Sequence, residues 1–192
     1  MFSQQLTLTL AIIVLMSPLY LHEMGHWAAL RKFDVPVIRY WIGLGPVLFK
    51  LGNVNFGLFP IGAAIGPEPV KFSQLSARQR FIVAMAGPCV SALAGIILFL
   101  SWCSARGAPE FTPLLYCAAL NLFIAVLNLL PIPPLDGFQA LTAWLEHRGT
   151  VMSAKATLWS QKIGSAVIYG AGAYFLTSYA VQLLSKASQQ VS

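Results

Sequence analysis

Apolar residues run almost unbroken through four windows of the chain, Leu6 to Leu30, Phe81 to Cys103, Leu114 to Leu130 and Ile163 to Leu184. Each is long enough to cross a bilayer as a helix, which takes about 17 to 25 residues. Between the first two windows the pattern changes. From Val35 to Gly66, VPVIRYWIGLGPVLFKLGNVNFGLFPIGAAIG, aromatic and β-branched residues alternate with Gly and Pro, and Gly52-Asn53 divides two strand-like runs, VLFKL and VNFGLF. A β-hairpin or small sheet is expected over about residues 35–66. It is too apolar for an ordinary cytosolic loop and too broken for a spanning helix, so it is expected to dip into the bilayer against the helices, where irregular backbone survives only when buried in protein or lining a wet cavity.

In the second window Gly87, Ser91 and Gly95 recur at four-residue spacing, a face that another helix can approach closely. Pro88 is a candidate kink. The third window ends in NLLPIPPLDG, where Pro131, Pro133 and Pro134 stop the helix and keep the chain extended. Residues 137–161 mix apolar and polar positions and predict an interfacial helix and loop. The expected fold class is a polytopic α-helical membrane protein with four transmembrane helices and a membrane-associated β-hairpin or small sheet, with residues 1–192 as a single domain.

Composition supports this: 57% of the 192 residues are hydrophobic and 9% charged, against about a quarter charged in soluble domains. The first window is too long for a cleavable signal and lacks a basic leader. A net charge of +6 would suggest nucleic acid if the basic residues formed a patch, but they do not. Arg31, Lys32, Arg39, Lys50, Lys71, Arg78 and Arg80 lie between the first two windows, and Arg148, Lys155 and Lys162 between the last two. The positive-inside rule then places both termini outside and both basic loops in the cytosol, so the charge is a topology signal and no nucleic acid partner is expected. Cys89, Cys103 and Cys117 show no CxxC spacing and are expected to serve as small apolar packing residues. The longest stretch outside the spans, about 50 residues, leaves no room for a large soluble domain.

Against this apolar background, YLHEMGHWAAL at residues 20–30 is anomalous. His22 and His26 are four apart, so on a helix both imidazoles project from one face and can hold one metal ion, with Glu23 beside them to activate water. HExxH arises by chance on exposed helices, but an unpaired glutamate in a bilayer costs several kcal/mol and is functional by default. His22 lies about 24 Å of helix from Leu6, which in a hydrocarbon core about 30 Å thick puts the site toward the cytosolic face. A catalytic zinc takes three protein ligands and keeps one position open, so a third donor is needed from Asp34, Glu68, Glu110, Asp136, Glu146 or His147. Glu110 falls on the wrong side, and Glu146 and His147 lie farther into a polar segment. Asp34 and Glu68 are not excluded by side, although Asp34 sits beside Arg31 and Lys32 and can be a solvated partner. Asp136 follows the third span, whose cytosolic end shares a side with that of the first, although Asp-Gly is also a common turn pair.

The two motifs together resemble the site-2 protease family of intramembrane zinc metalloproteases, in a compact form without an evident PDZ or CBS domain. HEMGH stands for that family's HExxH, and Asn128, Pro131, Pro133, Leu135, Asp136 and Gly137 complete its NxxPxPxLDG. GLGP at Gly43 to Pro46 and FPIG at Phe59 to Gly62 are similar to its membrane-associated β region. The resemblance implies one zinc ion on His22, His26 and Asp136, with Glu23 as general base and Asn128 near the substrate backbone. Where members often carry an asparagine after a GP pair, this chain has GPCVS, ending at Ser91, which puts a substrate-contacting role there in doubt. The implied activity is hydrolysis of peptide bonds in or near the transmembrane segment of a membrane-anchored protein, such as an anti-sigma factor, a membrane-tethered transcription factor or a signal peptide remnant, in a bacterial cytoplasmic membrane. Such a substrate must unwind, and the strands from Val47 to Phe59 are expected to offer an edge for it to pair with. Competing readings are a prenyl-protein-processing membrane metalloprotease, which uses a glutamate as third ligand, and a zinc transporter or non-proteolytic zinc-binding membrane protein.

Overall fold

A computed structural model describes residues 2–105, 108, 111–153 and 155–167, with 170, 174, 177, 178 and 181 beyond them; side chains are described from residue 16 onward, except at 44–45 and 58–62. The elements run α1 (Phe2–Lys32), β1 (Val37–Leu51), β2 (Val54–Pro67), α2 (Pro69–Ser73), α3 (Ala77–Ser104), α4 (Thr112–Asn128) and α5 (Asp136–His147). Two compact units are present, Met1–Pro131 with Leu135–Val151, and Ile132–Pro134 with Met152–Ser192. In the second, residues 155–167 are helical and Gly164 lies against the Pro133 carbonyl so closely that a Cβ would overlap it. Most of the predicted fourth span, and Glu110, lie outside the described residues.

The first unit holds every element named above. α1 carries the HExxH segment and ends where the sequence changes character. Asp34 takes a left-handed φ of 57°, while Asp34 N–H donates to the Arg31 carbonyl and Val35 N–H to the Leu30 carbonyl, a Schellman stop whose apolar clasp is the buried pair Leu30 and Val35. Asp tolerates this conformation better than most residues, so the solvated role expected of Asp34 is joined by a structural one.

The expected hairpin is present, over 37–67. Leu51 pairs with Val54 across Gly52-Asn53, and Gly52, with φ 58°, supplies the positive angle required at the first position of a type II′ turn. The hairpin is also folded on itself. Val47–Leu51 face Val54–Gly57 and Val37–Leu44 face Phe59–Pro67, while Tyr40, Trp41 and Ile42 also pair with Val54, Asn55 and Phe56. Gly43, with φ 90°, stands at the bend.

α3 is 28 residues long with mean hydropathy 2.3 over its most apolar window, and among the described residues it alone is long and apolar enough to cross a membrane; α4, at 17 residues, is shorter. Both helices bury small or polar residues and turn large apolar ones outward. Gly87, Ser91 and Gly95 of α3 and Ala118, Asn121 and Ala125 of α4 are buried, whereas Leu93, Ile97 and Leu100 of α3 and Phe123 and Val126 of α4 are exposed. A Cβ at Gly95 would lie 3.1 Å from the Ala118 carbonyl, so the small-residue face sets the approach of the two helices. Cys89 and Cys103 are exposed and Cys117 is half-buried. The packing expected of the first two is therefore not within the bundle, because their helical positions face outward.

Candidate metal centre

α1, α3 and α5 meet around one cluster. His22 Nε2 lies 2.9 Å from Asp136 Oδ2, His26 Nε2 lies 3.2 Å from the same oxygen, and the two Nε2 atoms are 3.2 Å apart. His22 is 5% exposed and His26 9%. Among the described residues this is the cluster of histidine, cysteine and carboxylate groups that could hold a metal ion.

The donor chemistry fits an ion. His26 Nδ1–H donates to the Val83 carbonyl at 2.8 Å; a carbonyl only accepts, so a neutral His26 ring leaves Nε2 bare. A bare imidazole nitrogen, a second imidazole nitrogen and a carboxylate oxygen at about 3 Å repel one another unless a proton or a cation sits among them. A tetrahedral zinc with bonds of about 2.0–2.1 Å separates neighbouring ligand atoms by about 3.3 Å, which matches the triangle.

Backbone proximity makes the cluster possible. Gly25, inside HEMGH, lies so close to α3 that a Cβ there would fall 2.5 Å from the Ala86 carbonyl, and a Cβ on Gly87 would overlap His26 Nε2 and lie 2.8 Å from His22 Nε2. Both glycines are needed for close approach. On the far side Asp136 opens α5, where the helix N-terminus favours its negative charge. A Cβ on Gly137 would overlap the Leu129 carbonyl, so the Asp-Gly pair does more than turn the chain: the glycine lets α5 start against the end of α4. At the other end of α5, Glu146 pairs with Arg80 of α3.

Glu23 lines a groove of about 450 Å³ between α1 and the hairpin, near enough to His26 and Asp136 for their charges to act on it. Tyr20, Met24 and Trp27 flank it on α1, and residues 40–42 and 63–65 form the opposite wall. The Ile65 backbone lies beside its carboxylate.

The other candidates for a third ligand lie outside this cluster among the described residues. Glu68 caps α2, accepting from the N–H groups of Val70 and Lys71. Glu146 is paired with Arg80, and His147 ends α5. Asn128 donates to the Ile124 carbonyl at 3.0 Å, within its own helix. Of the expected edge from Val47 to Phe59, Val54 lines the groove beside Glu23, and among the described side chains Val47, Leu48, Phe49 and Leu51 are exposed. Sequence reasoning missed Gly25, Val83 and Ile65, whose contributions come from backbone atoms. The glycine within HEMGH was the one available signal.

Residues 10–107 and 104–171 match the family model of Peptidase family M50. The chain is 32% identical over 154 residues to "Putative zinc metalloprotease Rip2" of Mycolicibacterium smegmatis, covering 73% of this chain and 59% of the relative. It is 34% identical over 106 residues to a "Putative zinc metalloprotease" of Thermotoga maritima, covering 46% and 21%. The chain thus spans between about a fifth and three fifths of the length of these relatives. The site-2 protease of Methanocaldococcus jannaschii shares the fold, with a TM-score of 0.59 at 24% identity over 90% of this chain and 69% of that one. By this match, which extends across most of its length and includes both α1 and the start of α5, the chain belongs to Peptidase family M50.

Proposed function

We propose that the protein is an intramembrane zinc metalloprotease that hydrolyses peptide bonds within or near the transmembrane segment of membrane-anchored proteins. One observation carries the reading: three donor atoms from two distant motifs converge within 4.8 Å, and Glu23, next in sequence to one of them, lines an adjacent groove. His22, His26 and Asp136 would hold one zinc ion, with Glu23 as the general base. Bound there, zinc would supply Lewis acidity, lowering the pKa of a water toward about 7 and polarising a carbonyl. Glu23, as general base, would take a proton from the attacking water and deliver it to the leaving amine.

The substrate segment lies in the groove. A helical segment must unwind before its carbonyls can be attacked, and strand addition replaces the hydrogen bonds it loses. The segment at 63–65, beside Glu23, is the edge we assign to this pairing in place of the hairpin tip.

Lipid surrounds the protein in this reading. Small and polar residues inside with large apolar residues outside is the arrangement that hydrocarbon solvation favours, and an exposed apolar surface of that kind otherwise marks an interaction site. We assign four spans, with both termini outside and the metal site toward the cytosol, on the distribution of basic residues. The cleaved partner is a membrane-spanning protein such as an anti-sigma factor, a tethered transcription factor or a signal peptide remnant. A prenyl-protein-processing mechanism is less well supported, since Glu68 and Glu146 are both committed elsewhere. A transporter is disfavoured because, among the described residues, ligand groups gather at one position.

The test is cleavage of a membrane-spanning substrate by the full chain in detergent. Activity that survives chelation, or a Glu23→Gln variant as fast as wild type, overturns the proposal.

A further inference from the structure

α3 presents a different group to the metal cluster on each of three successive turns of one face. Val83, Gly87 and Ser91 are four residues apart, so they stack along the helix. The Val83 carbonyl accepts from His26 Nδ1–H, Gly87 leaves room for both imidazoles, and Ser91 Oγ lies 3.1 Å from His22 Nδ1. Ser91 is fully buried, at 0% exposure. A hydroxyl placed there without a partner would cost stability, and its partner is the far nitrogen of a ring whose near nitrogen faces Asp136.

A hydroxyl both donates and accepts, so Ser91 could meet either tautomer of His22. The other side of the ring decides between them. His22 Nε2 faces Asp136 Oδ2 and His26 Nε2, and it can serve as a ligand only if unprotonated, which leaves the hydrogen on Nδ1. Ser91 then accepts that hydrogen, as the Val83 carbonyl does for His26. Imidazoles that bind metals almost always donate their other N–H to such an acceptor, which fixes the tautomer and ring orientation and raises ligand basicity.

We infer that Ser91 is a positioning residue of the metal centre, holding His22 in the Nδ1–H tautomer with Nε2 aimed at the ion, so that α3 aligns both histidines of α1. The inference rests on the proposed zinc site and adds an assignment that the HExxH and LDG motifs do not contain. It gives the serine of GPCVS a role away from substrate.

The experiment measures zinc dissociation constants of the full chain in detergent by chelator competition, together with the visible absorption of the Co²⁺-loaded protein. Ser91→Ala should weaken zinc by about 10- to 100-fold and shift the Co²⁺ bands. Ser91→Thr, which keeps the hydroxyl, should bind more tightly than Ser91→Ala. Ser91→Cys, which fills the space with a poor acceptor, should resemble Ser91→Ala and remains informative if the alanine variant does not fold. A wild-type zinc constant and unchanged bands in Ser91→Ala, or in Ser91→Cys where alanine fails to fold, overturn the inference. So does a Ser91→Cys variant that binds like wild type beside a weakened Ser91→Ala, which would show that the loss came from packing. If wild type itself binds no zinc, the metal site proposed for His22, His26 and Asp136 is what fails.

Discussion

His22 Nε2 and Asp136 Oδ2 lie 2.9 Å apart although 114 residues separate them in the chain. One group is buried in the middle of a helix and the other opens a helix behind a proline-rich turn. Neither would be placed so on grounds of stability alone, since each loses solvation that only the other or a shared ion restores.

Asp136→Ala should therefore lower zinc affinity by more than the roughly 10- to 100-fold that a lost supporting hydrogen bond costs. Metal content after dialysis against a weak chelator checks this, and full retention would favour a glutamate as third ligand. Because ligation needs unprotonated imidazoles, zinc occupancy of the wild type should fall on acidification.

Glu23→Gln keeps the side chain's shape and removes its basicity. Zinc content should be unchanged while turnover falls by about 10²- to 10⁴-fold, the usual contribution of a general base. Single-turnover cleavage measured beside metal analysis separates these effects.

Gly87→Ala places a methyl group where His26 Nε2 lies. Overpacking of this kind costs about 1–3 kcal/mol, and here it also pushes the ligands apart, so both the melting temperature and zinc affinity should drop. At Gly170 no atom of the described residues lies within 4 Å of a Cβ, and Gly170→Ala should leave zinc affinity unchanged.

Ala63→Pro removes a backbone donor from the strand segment opposite Glu23. Turnover of a membrane-spanning substrate should slow while zinc binding stays constant. Equal cleavage rates for variant and wild type would argue against strand addition at 63–65.

Arg80 and Glu146 tie the far end of α5 to α3, but both are about a third exposed, and such pairs contribute roughly 1 kcal/mol or less. A double-mutant cycle on thermal stability should return a coupling of that size, with Asp136 kept in place by Gly137 and the two imidazoles.

Local sequence rules accounted for several elements. The alternation around Gly52-Asn53 located the hairpin turn because a two-residue loop requires a particular φ, and Pro131 marked the end of α4 within three residues. The third ligand was harder to read. The chain's remaining carboxylates and histidine offered six candidates, and elimination by side left more than one; the paired motifs pointed to Asp136. The structure brings Asp136 to both histidines and occupies Glu68 with a helix cap. The folding of the hairpin back on itself near Gly43 was not legible, because a single glycine in an apolar run does not reveal which way the chain folds afterwards.

By itself the sequence determined the apolar windows, the helical face that His22 and His26 share, and the turn chemistry of the hairpin, all of which depend on residues a few positions apart. Only the tertiary structure decided that Gly25 and Gly87 let α1 and α3 touch, that Val83 and Ser91 meet the far nitrogens of the two histidines, and that Ile65 meets Glu23. Those pairings rest on backbone atoms or on a single hydroxyl brought together over 40 to 70 residues, and their geometry exists only once the helices have packed.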